Sequence, residues 1–434
     1  MLKAIRIQGY KSLANVDVNL QRLSVLFGPN AAGKSNFLDA VQLLAQLVKS
    51  RTLKEAFAPP YRGKPLESFT FGPGGMVDLL DKERTSFRFE VDVELSSNVV
   101  ESVNRQIREL KRRKPRAEDD GDNGKTQALV RERNLRYRIE VEIMPRSGIL
   151  RVSDEYLAAM TAKQTVSRSR RPFLESMGEN IHLRMEGQAH PKYYERYLDH
   201  SILSLPLYPP HYPHLVALRE ELSRYHFFYF EPRERMRAPN PVKEVRHIGL
   251  MGEDLGAYLN TLQALDQEQF RAVERAVHMV VPSVTGIDVD VNNLGEVDLW
   301  LREGEMRVPA RVVSEGTLRV LGLLALSGAQ DPPSLIGFEE PENGIHPRRI
   351  RMIADMLTTR AATDDTQLIV TTHSPILPDL IPDDSLFVCR KNGADTEIAP
   401  FKTWGPLGRR KEIDEGLEES LSPSQRILRG DFDA

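Results

Sequence analysis

The stretch GPNAAGKS, Gly28 to Ser35, spaces two glycines, a lysine and a hydroxyl in the pattern G-x-x-x-x-G-K-[ST]. Glycines let successive backbone N–H groups turn toward phosphate oxygens, and a helix N-terminus behind them adds positive potential. Lys34 then neutralises the β- and γ-phosphates of a nucleotide, and Ser35 reaches Mg²⁺. Gly28, Asn30, Ala31, Ala32, Gly33, Lys34, Ser35 and Asn36 are accordingly candidate contacts to ATP with Mg²⁺. A second constellation is Glu339 beside Glu340, where the short apolar run SLIGF ends. Adjacent carboxylates repel, and desolvation costs each of them. A cation resolves the crowding. Glu339 reads as the metal-holding acid and Glu340 as the base that orients or deprotonates the attacking water. The alternative is an exposed acidic turn before Pro341.

Elements must bring these residues together. LKAIRIQGY and LSVLFG suit strands running into the glycine-rich turn, and NFLDAVQLLAQLVK repeats apolar positions at helical spacing up to Lys49. FRFEVDVEL (87–95) and LRYRIEVEI (135–143) alternate apolar with charged residues, as half-exposed antiparallel strands do; paired, they set Arg136 and Arg138 near Glu94 and Asp92. Between them lie a helical run, VESVNRQIRELKRRK, and the loop-like PRAEDDGDNGK. Helical periodicity returns from Met251, a hairpin is expected at IDVDVNN and EVDLWLR around Asn292, Asn293 and Gly295, and the last third alternates helix and strand. That alternation predicts an α/β fold with a parallel sheet flanked by helices.

The chain has 434 residues, 40% hydrophobic and 28% charged, with a net charge of −3. This is globular composition, and nucleic-acid binding would need local basic patches such as Arg105 to Arg116, Arg168 to Arg171 and Arg233 to Arg237. Such runs are more often solvated faces, and acidic residues interleave here. The single cysteine, Cys389, follows SLFV in a strand and is expected to be buried, which excludes a disulfide within one chain. No signal-peptide pattern opens the sequence and its longest apolar run is far too short for a membrane span, so cytoplasmic residence is expected.

Five stretches, IQGYKSL, FGPNAAGKSN, VVSEGTLRVLGLLAL, LIGFEEPENGIHP and LIVTTHSP, resemble the nucleotide-binding heads of the ABC ATPase class. The likeness is to the soluble branch that holds the SMC, Rad50, RecF and OLD proteins, and within it to the bacterial AAA15 and AAA21 ATPases. The resemblance implies an ABC-ATPase-like P-loop head with an antiparallel β-lobe and an inserted helical or mixed region. It implies that SEGT, Ser314, Glu315, Gly316 and Thr317, contacts the γ-phosphate bound to another copy, and hence a head-to-tail homodimer or higher oligomer enclosing ATP. His373 matches the switch histidine, Asn343 a cross-protomer contact and Lys11 a basic residue touching phosphate. His346 has no evident metal partner and reads as structural. A glutamine loop is not identifiable. The Toprim nuclease of OLD proteins is not expected, because the only D-x-D after His373, Asp431 and Asp433, lies on a terminus that should fray.

The expected organisation is 1–95 (P-loop and β-lobe), 96–134 (charged insertion), 135–250 (lobe continuation and mixed insert), 251–400 (signature, paired acids, switch histidine) and 401–434 (tail). The expected function is ATP hydrolysis coupled to DNA transactions or phage defence. The alternative is a regulatory scaffold that holds and releases a separately encoded toxin or nuclease.

Overall fold

The computed structural model describes residues 1–112, 129–186, 191–326, 332–363, 366–404 and 422–432. Its centre is a six-stranded sheet in the order Tyr225–Phe228, Leu335–Glu339, Gln367–Thr372, Leu23–Phe27, Leu386–Asn392 and Asp395–Pro400. The first five strands are parallel and the last is antiparallel. A parallel sheet is covered on both faces, so its strands are apolar throughout rather than alternating. LSVLF and QLIVTT are indeed buried at every position. The two faces part with period two: Ile336 and Phe338 face one core, Leu335 the other.

On one face lies the helix Lys34–Lys49, which enters directly from the glycine-rich turn. Phe37, Val41, Leu44 and Val48 recur at helical spacing and are fully buried. At about 1.5–3 kcal/mol per buried side chain, that stripe anchors the turn to the sheet. The opposite face is covered by the helices Leu255–Leu265, Glu315–Ala325 and Pro347–Thr363. The helical run after Met251 is two helices, because Asp266 ends the first and caps the second through the Gln269 N–H at 3.0 Å.

The second large sheet has eight antiparallel strands, in the order Leu13–Asn19, Leu2–Tyr10, Thr85–Glu94, Asn134–Met144, Ile149–Ala159, Leu174–Met177, Asn180–Leu183 and Lys192–Glu195. Strands from both sides of the 96–134 segment thus share one sheet. The helix Ser97–Arg112 joins the same core through Val99, Val103 and Ile107. The register corrects one expectation. Arg136 lies opposite Asp92, but Arg138 lies opposite Glu90, and Glu94 is paired with Lys3 at 2.6 Å. The expected hairpin forms from Gly286–Val291 and Glu296–Glu303, turning at Gly295.

The chain end also differs from expectation. The helix Pro423–Arg429 is capped by Ser422, and Phe432 is buried against Phe27 and Phe401. Asp431 pairs with Arg429 at 2.6 Å; Asp433, the acidic run 115–125 and most of the 401–434 tail lie outside the described residues.

Candidate functional site

Strand register sets the site. Phe27 is level with Thr372 across one strand pair, and Glu339 with Thr371 across the next. The residues that follow these strand ends, Gly28, His373 and Glu340, therefore leave the sheet at one edge. That edge is the carboxyl end of parallel strands, where open α/β sheets bind ligands.

The turn after Phe27 needs glycine at its start. Gly28 has φ +145°, and a Cβ there would sit 2.0 Å from the Cys389 carbonyl oxygen. Cys389 itself is fully buried, as expected. Asn30 and Ala31 are exposed at the tip while Ala32 and Gly33 are buried at the helix start. The Lys34 ammonium donates to the carbonyls of Gly28 and Pro29, both at 2.7 Å. Burial pulls it down to about 8, with Cys389, Glu340 and Glu339 opposing. Among the described residues this cation has no carboxylate in direct contact, so a polyphosphate can draw it out. Asn36 points elsewhere, donating to Ser12 at 2.8 Å.

Ser35 and Glu339 meet: the serine hydroxyl donates to Glu339 Oε1 at 2.5 Å. The other carboxylate oxygen lies 2.8 Å from Arg62 Nη1. Arg62 also donates through Nε and Nη2 to Asp39, at 3.0 and 2.8 Å. Lys11, with φ +46°, binds the same Asp39 at 2.8 Å, so its ammonium faces the helix acid in this structure. A hydroxyl and a carboxylate, both hard oxygen donors, fit Mg²⁺. The guanidinium already supplies the positive charge that this carboxylate calls for. Among the described residues no three or more His, Cys, Asp or Glu side chains gather to hold a metal alone. A Mg²⁺ here would take its remaining ligands from phosphate and water.

Glu340 is held differently. Its φ is +49°, a region few non-glycine residues occupy and one that often marks function. Oε1 lies 3.2 Å from His373 Nε2, and Oε2 accepts from Asn343 Nδ2 at 3.3 Å. Burial, with Lys34 adding to it, holds the His373 imidazole below its ordinary range despite Glu340 and Glu339. A neutral ring protonated at Nε2 donates to the carboxylate. Glu339 and Glu340 thus face different partners, and the crowding is relieved by divergence as well as by cations.

Ser314 caps the helix Glu315–Ala325, accepting from the Thr317 N–H at 3.2 Å. Glu315 is tied to Arg233 at 2.8 Å. Gly316 lies against the loop after Glu340, where a Cβ would meet the Gly344 carbonyl at 2.4 Å, and Arg319 donates to the Asn343 carbonyl at 2.9 Å. Among the described residues no hydrogen bond or ion pair joins Ser314–Thr317 to Gly28–Asn36 of the same chain. His346 accepts from the Arg348 N–H at 3.3 Å, at the start of the next helix.

Three residues absent from the sequence reading belong to this edge: Asp39, Arg62 and Tyr229. The Tyr229 ring lies 5.9 Å from the Arg62 guanidinium and lines the same small cavity as Asp39 and Glu339. It follows the strand Tyr225–Phe228, the parallel neighbour of Leu335–Glu339, so the position was set by an edge strand that had no sequence signal.

Comparison with known proteins agrees with this architecture. Residues 1–157 match the AAA_15 family model, described as an AAA ATPase domain. Residues 198–379 match AAA_21, an AAA domain whose description names the AbiEii toxin and a Type IV TA system. No curated protein matches the chain in sequence. In structure it is similar to an SMC head bound to the C-winged helix domain of ScpA, at 11% identity and TM-score 0.50, covering 92% of this chain and 97% of that one. The SMC head of Pyrococcus furiosus with an extended coiled coil, bound to the C-terminal domain of ScpA, aligns at 10% identity and TM-score 0.46 over 92% and 95%. The SMC head domain of Thermotoga maritima aligns at 13% identity and TM-score 0.40 over 92% and 98%. Among the described residues no helix is long and apolar enough to cross a membrane. Two AAA-domain models, each matching less than half of the sequence, on an SMC-head-like fold mark the chain as an ATP-binding ATPase similar to the AAA15 and AAA21 families.

Proposed function

We propose that the protein hydrolyses ATP with Mg²⁺ as a head-to-tail dimer, each copy offering Ser314–Thr317 to the nucleotide held by the other, and that closure drives DNA transactions or phage defence. One observation carries the reading: Lys34, Ser35, Glu339, Glu340 and His373 leave adjacent strand ends at one edge, with the two acids on separate partners. Lys34 exchanges its two carbonyls for the β- and γ-phosphates. Ser35 and Glu339 would hold Mg²⁺, which when bound would neutralise phosphate charge. Glu340 takes the proton of the water that attacks the γ-phosphorus as ADP departs. His373, donating from Nε2, keeps that carboxylate oriented until the γ-phosphate engages the ring. The Ser314 hydroxyl and the N–H groups around Gly316 form an anion site at a helix N-terminus. With no hydrogen bond or ion pair to Gly28–Asn36 of its own chain among the described residues, that site suits a partner's phosphate.

Lys34→Ala should lower turnover by on the order of a hundredfold or more, through lost phosphate binding, in a protein that still folds. Undiminished hydrolysis in that variant would end the assignment. DNA that stimulates turnover supports the machine. A second reading, a scaffold that holds and releases a separately encoded toxin or nuclease, is favoured by the toxin named in the matched family's description. Slow, DNA-insensitive turnover with co-purification of a small protein would select it.

A further inference from the structure

Glu342 is 6% exposed, yet among the described residues it forms no ion pair with any lysine, arginine or histidine. Burying a carboxyl without a counter-charge is costly, and proteins keep such groups where they hold something else in place. Among the described residues its side-chain partner is Thr372, whose hydroxyl donates to Glu342 Oε1, while the buried Oε2 has no hydrogen-bond partner there. Burial raises this carboxyl above the ordinary range, with Glu340 adding to the rise. Thr372 is fully buried, ends the strand before His373, and accepts the Ser374 N–H at 2.9 Å. One carboxyl oxygen therefore fixes the threonine rotamer, and the threonine fixes the backbone on both sides of His373. The loop that carries Glu342 is itself tight, with Asn343 N–H bound to the Glu340 carbonyl at 3.1 Å and Ile345 N–H to that of Glu342 at 3.0 Å. On its far side Asn343 and Gly344 meet Arg319 and Gly316 of the helix Glu315–Ala325.

We propose that Glu342 is a positioning residue for ATP hydrolysis: by holding Thr372 it sets His373 against Glu340, and it ties that pair to the loop on which the helix Glu315–Ala325 rests. This inference rests on the ATPase reading of the site. In this proposal Glu342 acts only through its neighbours.

The test measures ATP turnover and binding of a fluorescent ATP analogue for the full chain and its variants. Glu342→Ala should lower kcat about tenfold or more while KM and analogue affinity stay within about twofold. Glu342→Gln, whose amide oxygen accepts the same bond, should keep kcat within about threefold of wild type. Thr372→Val should match Glu342→Ala, Thr372→Ser should stay near wild type, and the Glu342→Ala, Thr372→Val double variant should be no worse than either single one. If Glu342→Ala fails to fold, the threonine pair decides alone: equal rates for Thr372→Val and Thr372→Ser overturn the proposal. So does Glu342→Ala within twofold of wild type, or Glu342→Gln falling as far as Glu342→Ala. His373→Ala and Glu340→Gln separate the two levels. If both abolish turnover and Glu342→Ala does not, only this inference fails; if neither changes turnover, the site reading fails with it.

Discussion

On the polar face of the eight-stranded sheet, Arg136 binds Asp92 at 2.6 and 2.8 Å, Arg138 binds Asp154 at 2.7 Å, and Arg6 reaches Glu90 and Asp92 at 3.0 and 3.2 Å. Each charge is answered by one on a neighbouring strand, so the lattice is complete within the chain. At the carboxyl edge of the six-stranded sheet the arrangement is different. Lys34 rests on carbonyls, Glu342 has an orphaned oxygen, and Glu340 is held in a left-handed conformation. The first region has spent its charges on itself, and the second retains capacity for a ligand. Buried polar groups that are only partly satisfied mark where a fold gives up stability for function.

The sharpest way to break this contrast is at Gly28. Gly28→Ala adds a Cβ into the Cys389 carbonyl at a positive φ, and should cost on the order of 3 kcal/mol of stability together with nucleotide binding. Chemical denaturation of the variant checks it, and a midpoint equal to wild type would show that the turn is not constrained as described. Arg136→Ala is the counterpart in the other sheet. It leaves the 5%-exposed Asp92 with Arg6 alone, so it should cost about 1–2 kcal/mol while kcat and KM stay unchanged. A fall in turnover would mean the two regions are coupled.

A third effect is set by pH. Burial, with His247 adding to it, holds the His226 imidazole down to about 3, against an ordinary value of 6.5. The unfolded chain therefore binds the proton first, and stability is lost as pH falls through 6.5 toward 3. Between pH 7 and 5.5 the loss should be on the order of 1 kcal/mol, and His226→Gln should flatten that part of the curve. Denaturation midpoints across this range measure it; an unchanged slope in His226→Gln would assign acid sensitivity to other groups, such as the carboxylates at the site.

Much of the parallel sheet was legible because its strands are short apolar runs bounded by glycine, proline and helical periodicity, and because the phosphate turn carries its chemistry in contiguous residues. Glu339, Glu340 and His373 followed, since each stands directly after such a run. Asp39 had a faint signal, an acid within the apolar helix stripe LDAVQLL, but nothing in the sequence names Lys11 and Arg62 as its partners. Arg62 lies in the loop PPYRGK, whose path is set by tertiary contacts and has no period to read. Glu342 was hidden by its neighbours: in EEPE the first two acids absorb the interpretation, and burial of the third depends on the strand Gln367–Thr372, which is distant in sequence. The Arg138 register was missed for a simpler reason. Alternation fixes which face a residue occupies, but a slip of two residues preserves that face and changes every partner.

The most direct measurement is the solution mass of Glu340→Gln by light scattering, with and without ATP and Mg²⁺. Removing the base while keeping the nucleotide site should trap the enclosed pair, so the mass doubles on ATP addition, and adding Ser314→Arg to the same variant should return it to the monomer value with ATP still bound. A Glu340→Gln protein that binds ATP and Mg²⁺ but stays monomeric, or a doubling that survives Ser314→Arg, would contradict nucleotide enclosure between two copies.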